Sequence, residues 1–144
     1  MNQLLLLCMI AGRKAAIAAS EVRSVIEIEA FTPVPGAPRH IPGLTALRSQ
    51  ALTLIDCRSV LGFEPSEEII GLRAAVVELN GHSYALLLDE AHDVAEAMSA
   101  PEPVPGGFGE GWQNAATGMV ETVEGPALVL DVERLIGGQL AQAA

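Results

Sequence analysis

Three histidines, two cysteines and a scatter of carboxylates are the residues of this 144-residue chain from which reactivity would be built. Catalysis or metal binding needs such residues in sets, because a nucleophile needs a base within hydrogen-bond reach and a structural metal needs about four ligands. His40, His82 and His92 have no sequence neighbours resembling a triad or a ligand set. His82 follows a hairpin turn and His92 falls on an expected polar helix face, so all three are expected to be solvent-exposed. Cys8 and Cys57 sit inside apolar runs without CxxC or a histidine at ligand spacing, which predicts buried reduced thiols and neither zinc nor a disulfide framework. Asp56 and Asp131 are carboxylates in matching repeat positions, yet each stands before an expected helix, where capping explains it better than paired acid and base. Gly106 to Gly111 lacks GxGxxG, GxxxxGK[ST] and any following basic residue, so it has no known means of cradling a phosphate. No catalytic set, cofactor or metal is indicated, and the expectation is a binding module that is not an enzyme.

The elements that would position these residues are limited by composition. Apolar residues make up 50% of the chain but aromatics only 3%, so the core must be Leu, Val, Ile and Ala, with little on which to stack nucleic-acid bases. A net charge of −10 argues further against nucleic acid. Residues 1–71 carry six basic against seven acidic side chains and residues 72–144 two against eleven, which makes the first half the better surface for an acidic partner. Arg13 and Lys14 interrupt the only apolar run that approaches a membrane span, so no membrane insertion is expected.

The chain is written twice. CMIAGRKAAIAASEVRSVIE (Cys8 to Glu27) lies over VELNGHSYALLLDEAHDVAE (Val77 to Glu96) without gaps at an offset of 69, placing Gly12 on Gly81, Ile17 on Leu86, Ser20 on Asp89 and Val25 on Val94. Each copy reads as an apolar run, a turn (Ala11-Gly12, Asn80-Gly81), a second apolar run, then Ser20 or Asp89 as the N-cap of a short helix. GLTALRSQALTLIDCRSVLG (Gly43 to Gly62) matches GMVETVEGPALVLDVERLIG (Gly118 to Gly137) at an offset of 75. That pair reads as strand, turn, strand, a capping Asp56 or Asp131, and a short helix closed by Gly62 or Gly137. The units span about 4–62 and 72–137 with a polar linker over 63–71, in one domain over 1–144. Between the two parts of each unit, TPVPGAPRHIPG and APEPVPGGFGEGWQN are expected to be extended surface loops, the second longer and more mobile. Two units of about five short strands suggest a pair of small antiparallel β-barrels packed together, with a single sandwich as the alternative.

The repeat also reads the N-terminal MNQLLLLCMIAGRKAAIAAS. Its leucines imitate a secretory signal, but the basic pair follows the apolar run instead of preceding it. Leu7 to Ala19 takes the role of Val76 to Leu88, which lies mid-chain, so the segment is expected to be the first β-hairpin of a cytoplasmic protein with an intact Met1 or Asn2 terminus.

The arrangement resembles the CheW family of bacterial chemosensory adaptors. PVPGAPRHIPGLTALRSQALTLIDCRSVLG (Pro33 to Gly62) is similar to the family's proline-glycine loop, its Gly-x-x-Asn-x-Arg-Gly turn and its strand ending in Ile-Asp-x-Arg. LRAAVVELNGHSYALLLDEAHDVAEA is similar to the family's second hairpin and following segment. The resemblance implies a mainly β fold of two packed five-stranded SH3-like barrels with short helices. It implies a cytoplasmic, non-enzymatic scaffold, associated with receptor arrays at the inner membrane, that couples chemoreceptor cytoplasmic tips to the regulatory domain of a CheA-type histidine kinase. An adaptor for a kinase outside chemotaxis, or a small-ligand sensory barrel, are the alternatives. By resemblance Arg48 is the turn arginine, Ala19, Val22 and Val25 line a groove for a receptor helix, and Ser24 and Leu87 complete the protein-contact set. The sequence departs from the family pattern at Ala46 and Ser49, where Asn and Gly are usual, and at Ser24, where many relatives carry a Glu able to pair with the arginine.

Overall fold

In the first strand, β1 (Leu4–Ile10), Leu5 and Leu7 face one way and Leu6, Cys8 and Ile10 the other, and all five are buried. Burial on both faces is why the run is apolar without interruption. The computed structural model describes residues 3–138, so the expected Met1 or Asn2 terminus and the ends of the 1–144 span lie outside the described residues. β1 turns at Ala11-Gly12, with φ of 51° and 78°, into β2 (Arg13–Ala18). Both positive values fit the type I′ turn expected from the sequence. β6 (Arg73–Leu79) and β7 (His82–Leu88) repeat the hairpin about Asn80-Gly81, with φ of 52° and 81°. The offset of 69 carries β1 onto β6 residue for residue.

The remaining strands are β3 (Ser24–Glu27), β4 (Leu44–Leu47), β5 (Gln50–Asp56), β8 (Glu90–Glu96), β9 (Ala116–Thr122) and β10 (Gly125–Leu130). They form two five-stranded sheets, ordered β8-β1-β2-β10-β9 and β3-β6-β7-β5-β4. Each sheet therefore joins the hairpin of one sequence unit to the last three strands of the other, and the two units exchange hairpins. The sheets are not wholly antiparallel: β10 runs parallel to β2, and β5 to β7. Parallel neighbours need a long crossover. The exchange supplies one, since the strands of each parallel pair belong to different units.

The strand alternation sorts the core into three layers. Leu6, Ile10, Ile17, Leu86 and Leu88 pack between the two sheets with Trp112. Leu5, Leu7, Ala16, Val120 and Val129 fill the curl of the first sheet. Leu52, Leu54, Ala85 and Leu87 fill that of the second. These side chains occupy the space that a sensory barrel would need for a small ligand. A fully buried Leu or Ile contributes roughly 1.5–3 kcal/mol, so the layer between the sheets makes each depend on the other.

Several local expectations are corrected. Asp89 caps no helix: the chain continues as β8, which crosses to pair with β1 of the other hairpin. Ser20 lies in a single 3-10 turn, Ala19–Glu21, whose cap position is Ala18, with no side-chain bond. In both copies the segment is a corner delivering a third strand to the opposite sheet, and cross-sheet pairing overrides the local capping signal. The second loop is not wholly extended. It contains α2 (Glu110–Ala115), whose Trp112 is 0% exposed, and a Cβ on Gly111 would lie 2.2 Å from the Leu61 carbonyl oxygen. Asp56 does cap α1 (Cys57–Val60), accepting from the Arg58 N–H, and Gly62 closes it at φ 89°. Asp131 accepts from the Arg134 N–H, although the helical turn that follows, Arg134–Gly138, is π-helical and Gly137 is not left-handed.

His40 is buried, not exposed, and its Nε2 has no hydrogen-bond partner, so burial pulls its pKa below 6.5. His92 lies on strand β8, half-buried between two carboxylates. Only His82 is exposed as expected. Both thiols are buried and reduced, and burial pushes the Cys8 pKa up to about 12.

Candidate protein-binding site

The 3-10 turn after β2 carries Ala19, and the chain leaves it through Val22 into β3. Val22 packs partly against the layer between the sheets, Ala19 is half-buried, Ser24 is exposed, and Val25 is 41% exposed. Beside them a cleft of about 680 Å³ opens, lined by Glu21, Glu78, Asp131 and Glu133 with Arg23 as its one cation among the described residues. Arg23 pairs with Glu78 at 3.0 Å at the surface. Burial, then Asp131 and Glu133, hold the Glu21 carboxyl above its usual pKa.

Arg48 stands on the two-residue turn between β4 and β5. Despite Ala46 and Ser49, the turn is tight: Arg48 and Ser49 have φ of 51° and 69°, and the ladder closes at Leu47 opposite Gln50. Gln50 Nε2 donates to Ser83 Oγ at 2.6 Å, tying this turn to the start of β7 beside Asn80-Gly81. β3 begins opposite Val76 of β6, close to the same turn. Arg48 and Ala19 to Val25 thus share one end of the second sheet, but on its two opposite edge strands. Arg48 makes no ion pair among the described residues, consistent with the serine at position 24.

Leu87 does not join them. Its side chain is 2% exposed, inside the curl of the second sheet, because it shares the inward face with Ala85. It is a core residue, and its inclusion as a contact residue is corrected on that ground.

Sequence reasoning missed a clasp at the opposite end of the second sheet, past the last residues of β5 and β7. Asp89 Oδ2 accepts from the Ala11 N–H at 2.7 Å and from Arg58 Nη1 at 2.8 Å. Asp56, besides capping α1, accepts from the N–H and the hydroxyl of Ser66 at 2.9 and 3.1 Å. One carboxylate therefore joins the β1–β2 turn of the first sheet to α1 below the second. The only signal for it in the chain was Asp56-x-Arg58, which local reasoning exhausted with capping. Among the described residues no three His, Cys, Asp or Glu side chains converge as metal ligands would.

Residues 4–139 match the family model of the CheW-like domain. The chain belongs to the CheW-like family. A chemotaxis protein CheW from Bacillus subtilis (strain 168) is 31% identical over 101 residues, which is 67% of this chain and 65% of that relative, just under two thirds of its length. The crystal structure of the scaffolding protein TtCheW from Thermoanaerobacter tengcongensis has the same fold, with a TM-score of 0.80 at 20% identity over 94% of this chain and 88% of that one. The two curled sheets are the paired barrels of the CheW-like fold. Among the described residues of this CheW-like chain no helix is long and apolar enough to cross a membrane.

Proposed function

We propose that this CheW-like chain, acting as one domain, is a non-enzymatic adaptor in the cytoplasm. It holds the regulatory domain of a CheA-type histidine kinase beside the cytoplasmic tip of a chemoreceptor. The observation that carries the reading is the match of the CheW-like domain to nearly the whole chain, residues 4–139. Support comes from the arrangement of Ala19, Val22, Ser24, Val25 and Arg48 at one end of the second sheet, with apolar Val25 and cationic Arg48 exposed there. Val22 and Val25 supply apolar contact for a receptor helix, and Arg48, with no ion pair among the described residues, a charged anchor for an acidic partner.

The test is calorimetric titration with the regulatory domain of the kinase from the same organism. Binding at about 1 μM, corresponding to about −8 kcal/mol, is expected, and no heat at about 100 μM overturns the reading. Arg48→Glu is expected to weaken that binding about tenfold, equivalent to about 1.4 kcal/mol. Its melting temperature should hold, because an exposed turn side chain contributes little to the core. Unchanged affinity removes Arg48 from the site.

A further inference from the structure

The internal repeat shows what an occupied sheet edge looks like in this chain, and where one is left vacant. On the β9 edge of the first sheet, Met119 exchanges two backbone hydrogen bonds with Glu102, of 2.8 and 2.9 Å. Two residues on, the Glu121 carbonyl accepts from the Met98 N–H at 2.7 Å, and the Glu121 N–H donates to Ser99 Oγ at 3.0 Å. The offset of 75 puts Leu44 and Ala46 in these two places on the β4 edge of the second sheet. Leu44 is satisfied in the same way, exchanging bonds of 2.8 and 2.9 Å with Thr32. Ala46 is not. Leu47 and Gln50 flank a two-residue turn and the Leu54 N–H bonds the Gly43 carbonyl, so the ladder to β5 runs through residues 43, 45 and 47. The N–H and C=O of Ala46 therefore point away from β5, and among the described residues nothing meets them.

Among the described residues the strand across the gap is vacant too. Ile28 turns its N–H toward the Leu72 carbonyl, which sets the phase of β3 on β6 and leaves the backbone of Glu27 facing outward. In the first sheet the chain after β8 runs along β9. Here the Gly71 N–H also bonds the Ile28 carbonyl, and the chain reaches β4 only beyond it, where the Ala30 carbonyl accepts from Thr45 Oγ1 at 2.6 Å and Thr32 pairs with Leu44. The result is a groove of about 670 Å³ between the open stretches of two edge strands, at Glu27 and at Ala46. Its inner side is apolar, with Ile26, Phe31 and Leu47 packed on the core of the second sheet. Its outer rim carries Glu27 and Glu29. Arg73 pairs with Glu27 at 3.5 Å, whereas Glu29 has no ion pair among the described residues.

We propose that this seam is a strand-addition site for an extended segment of a partner protein. The segment inserts between β3 and β4, its backbone meeting the N–H and C=O of Ala46 as Met98 and Ser99 meet those of Glu121. Its alternate residues are apolar, facing Ile26, Phe31 and Leu47, and basic, facing Glu29, because side chains alternate along a strand. An unblunted edge of this kind is one that proteins ordinarily cover or charge, and Ala46 does neither. The inference stands on the repeat and does not depend on the adaptor reading.

The experiment is NMR on the 15N-labelled full chain, titrated with acetyl-Val-Lys-Val-Ser-Val-amide and with the same peptide N-methylated at alternate residues. The plain peptide is expected to shift the Ala46 and Glu27 amides and to slow Ala46 exchange with solvent about tenfold at saturation, while the methylated one binds at least about tenfold more weakly. Ala46→Pro removes the outward N–H at an edge position that tolerates proline, and it should weaken binding while the other amide resonances persist. Glu29→Lys should weaken binding without touching the backbone, which keeps the test decisive if the proline variant does not fold. Equal binding of the methylated peptide, or unchanged Ala46 exchange at about 5 mM peptide, overturns the proposal. So does self-association of the chain that Ala46→Pro abolishes, because the occupant is then a second copy.

Discussion

The clasp between the sheets can be measured directly by a double-mutant cycle on Arg58 and Asp89. Their side chains are 31% and 28% exposed and meet at 2.8 Å, so the contact is a partly shielded, charge-assisted hydrogen bond. Such bonds contribute about 1.5–3 kcal/mol when shielded and up to about 1 kcal/mol when solvated, which places this one at roughly 1–1.5 kcal/mol. Arg58→Met keeps most of the stem's volume and removes the charge, so it should destabilise by about that amount. Asp89→Ala also strips the acceptor from the part-buried Ala11 N–H, held at 2.7 Å, and should destabilise by about 2–3 kcal/mol. The double variant should be little worse than Asp89→Ala alone, leaving a coupling energy of about 1 kcal/mol. Urea unfolding followed by fluorescence suits the assay, because Trp112 is the chain's single tryptophan and is 0% exposed between the sheets. A coupling below about 0.3 kcal/mol, the usual error of additivity, would refute the reasoning.

Other outcomes follow from single features. The two shifted histidines should give opposite pH dependence. His92 meets Glu90 at 2.9 Å and Glu124 at 2.7 Å, one through each ring nitrogen, and these bonds raise its pKa. Its stabilisation is full below pH 6.5 and lost as pH rises through the folded value, so His92→Gln should cost more at pH about 5.5 than at about 8.5. His40 is buried with a lowered pKa, so stability is lost as pH falls through 6.5, and His40→Gln should flatten that acid limb in urea titrations at several pH values. Gly111→Ala places a methyl 2.2 Å from the Leu61 carbonyl oxygen and should destabilise by about 1–3 kcal/mol, seen as a red-shifted Trp112 emission or a lower urea midpoint. Ser49→Gly relieves a left-handed serine at φ 69° and should raise the urea midpoint by the equivalent of about 0.5–1 kcal/mol; no gain would mean the turn is unstrained.

The hairpins, the turn glycines, the Asp56 cap and the buried thiols were legible in the chain, because each is decided by residues within a few positions of one another. The repeat was legible too, and its two offsets fix which strands correspond. The burial of His40 and Trp112 was not. Both lie in Pro- and Gly-rich stretches whose composition signals loop, yet Asp56 donates its N–H to the His40 carbonyl at 2.8 Å, and Gly111 lets α2 settle against Leu61. Of the site, the exposure of Val25 and Arg48 follows from their place on an edge strand and a turn, whereas Leu87 looked like its neighbours until the inward face of β7 was fixed.

By itself the sequence determined that one hairpin-plus-strands unit is written twice, since hydrophobic period and turn chemistry are local. Which hairpin joins which strands was decided only in three dimensions. β8 and β3 carry no sequence mark that tells them to leave their own hairpins. They cross because each unit can cover its apolar faces only with the strands of the other, and that exchange also leaves one edge of the second sheet open at Ala46.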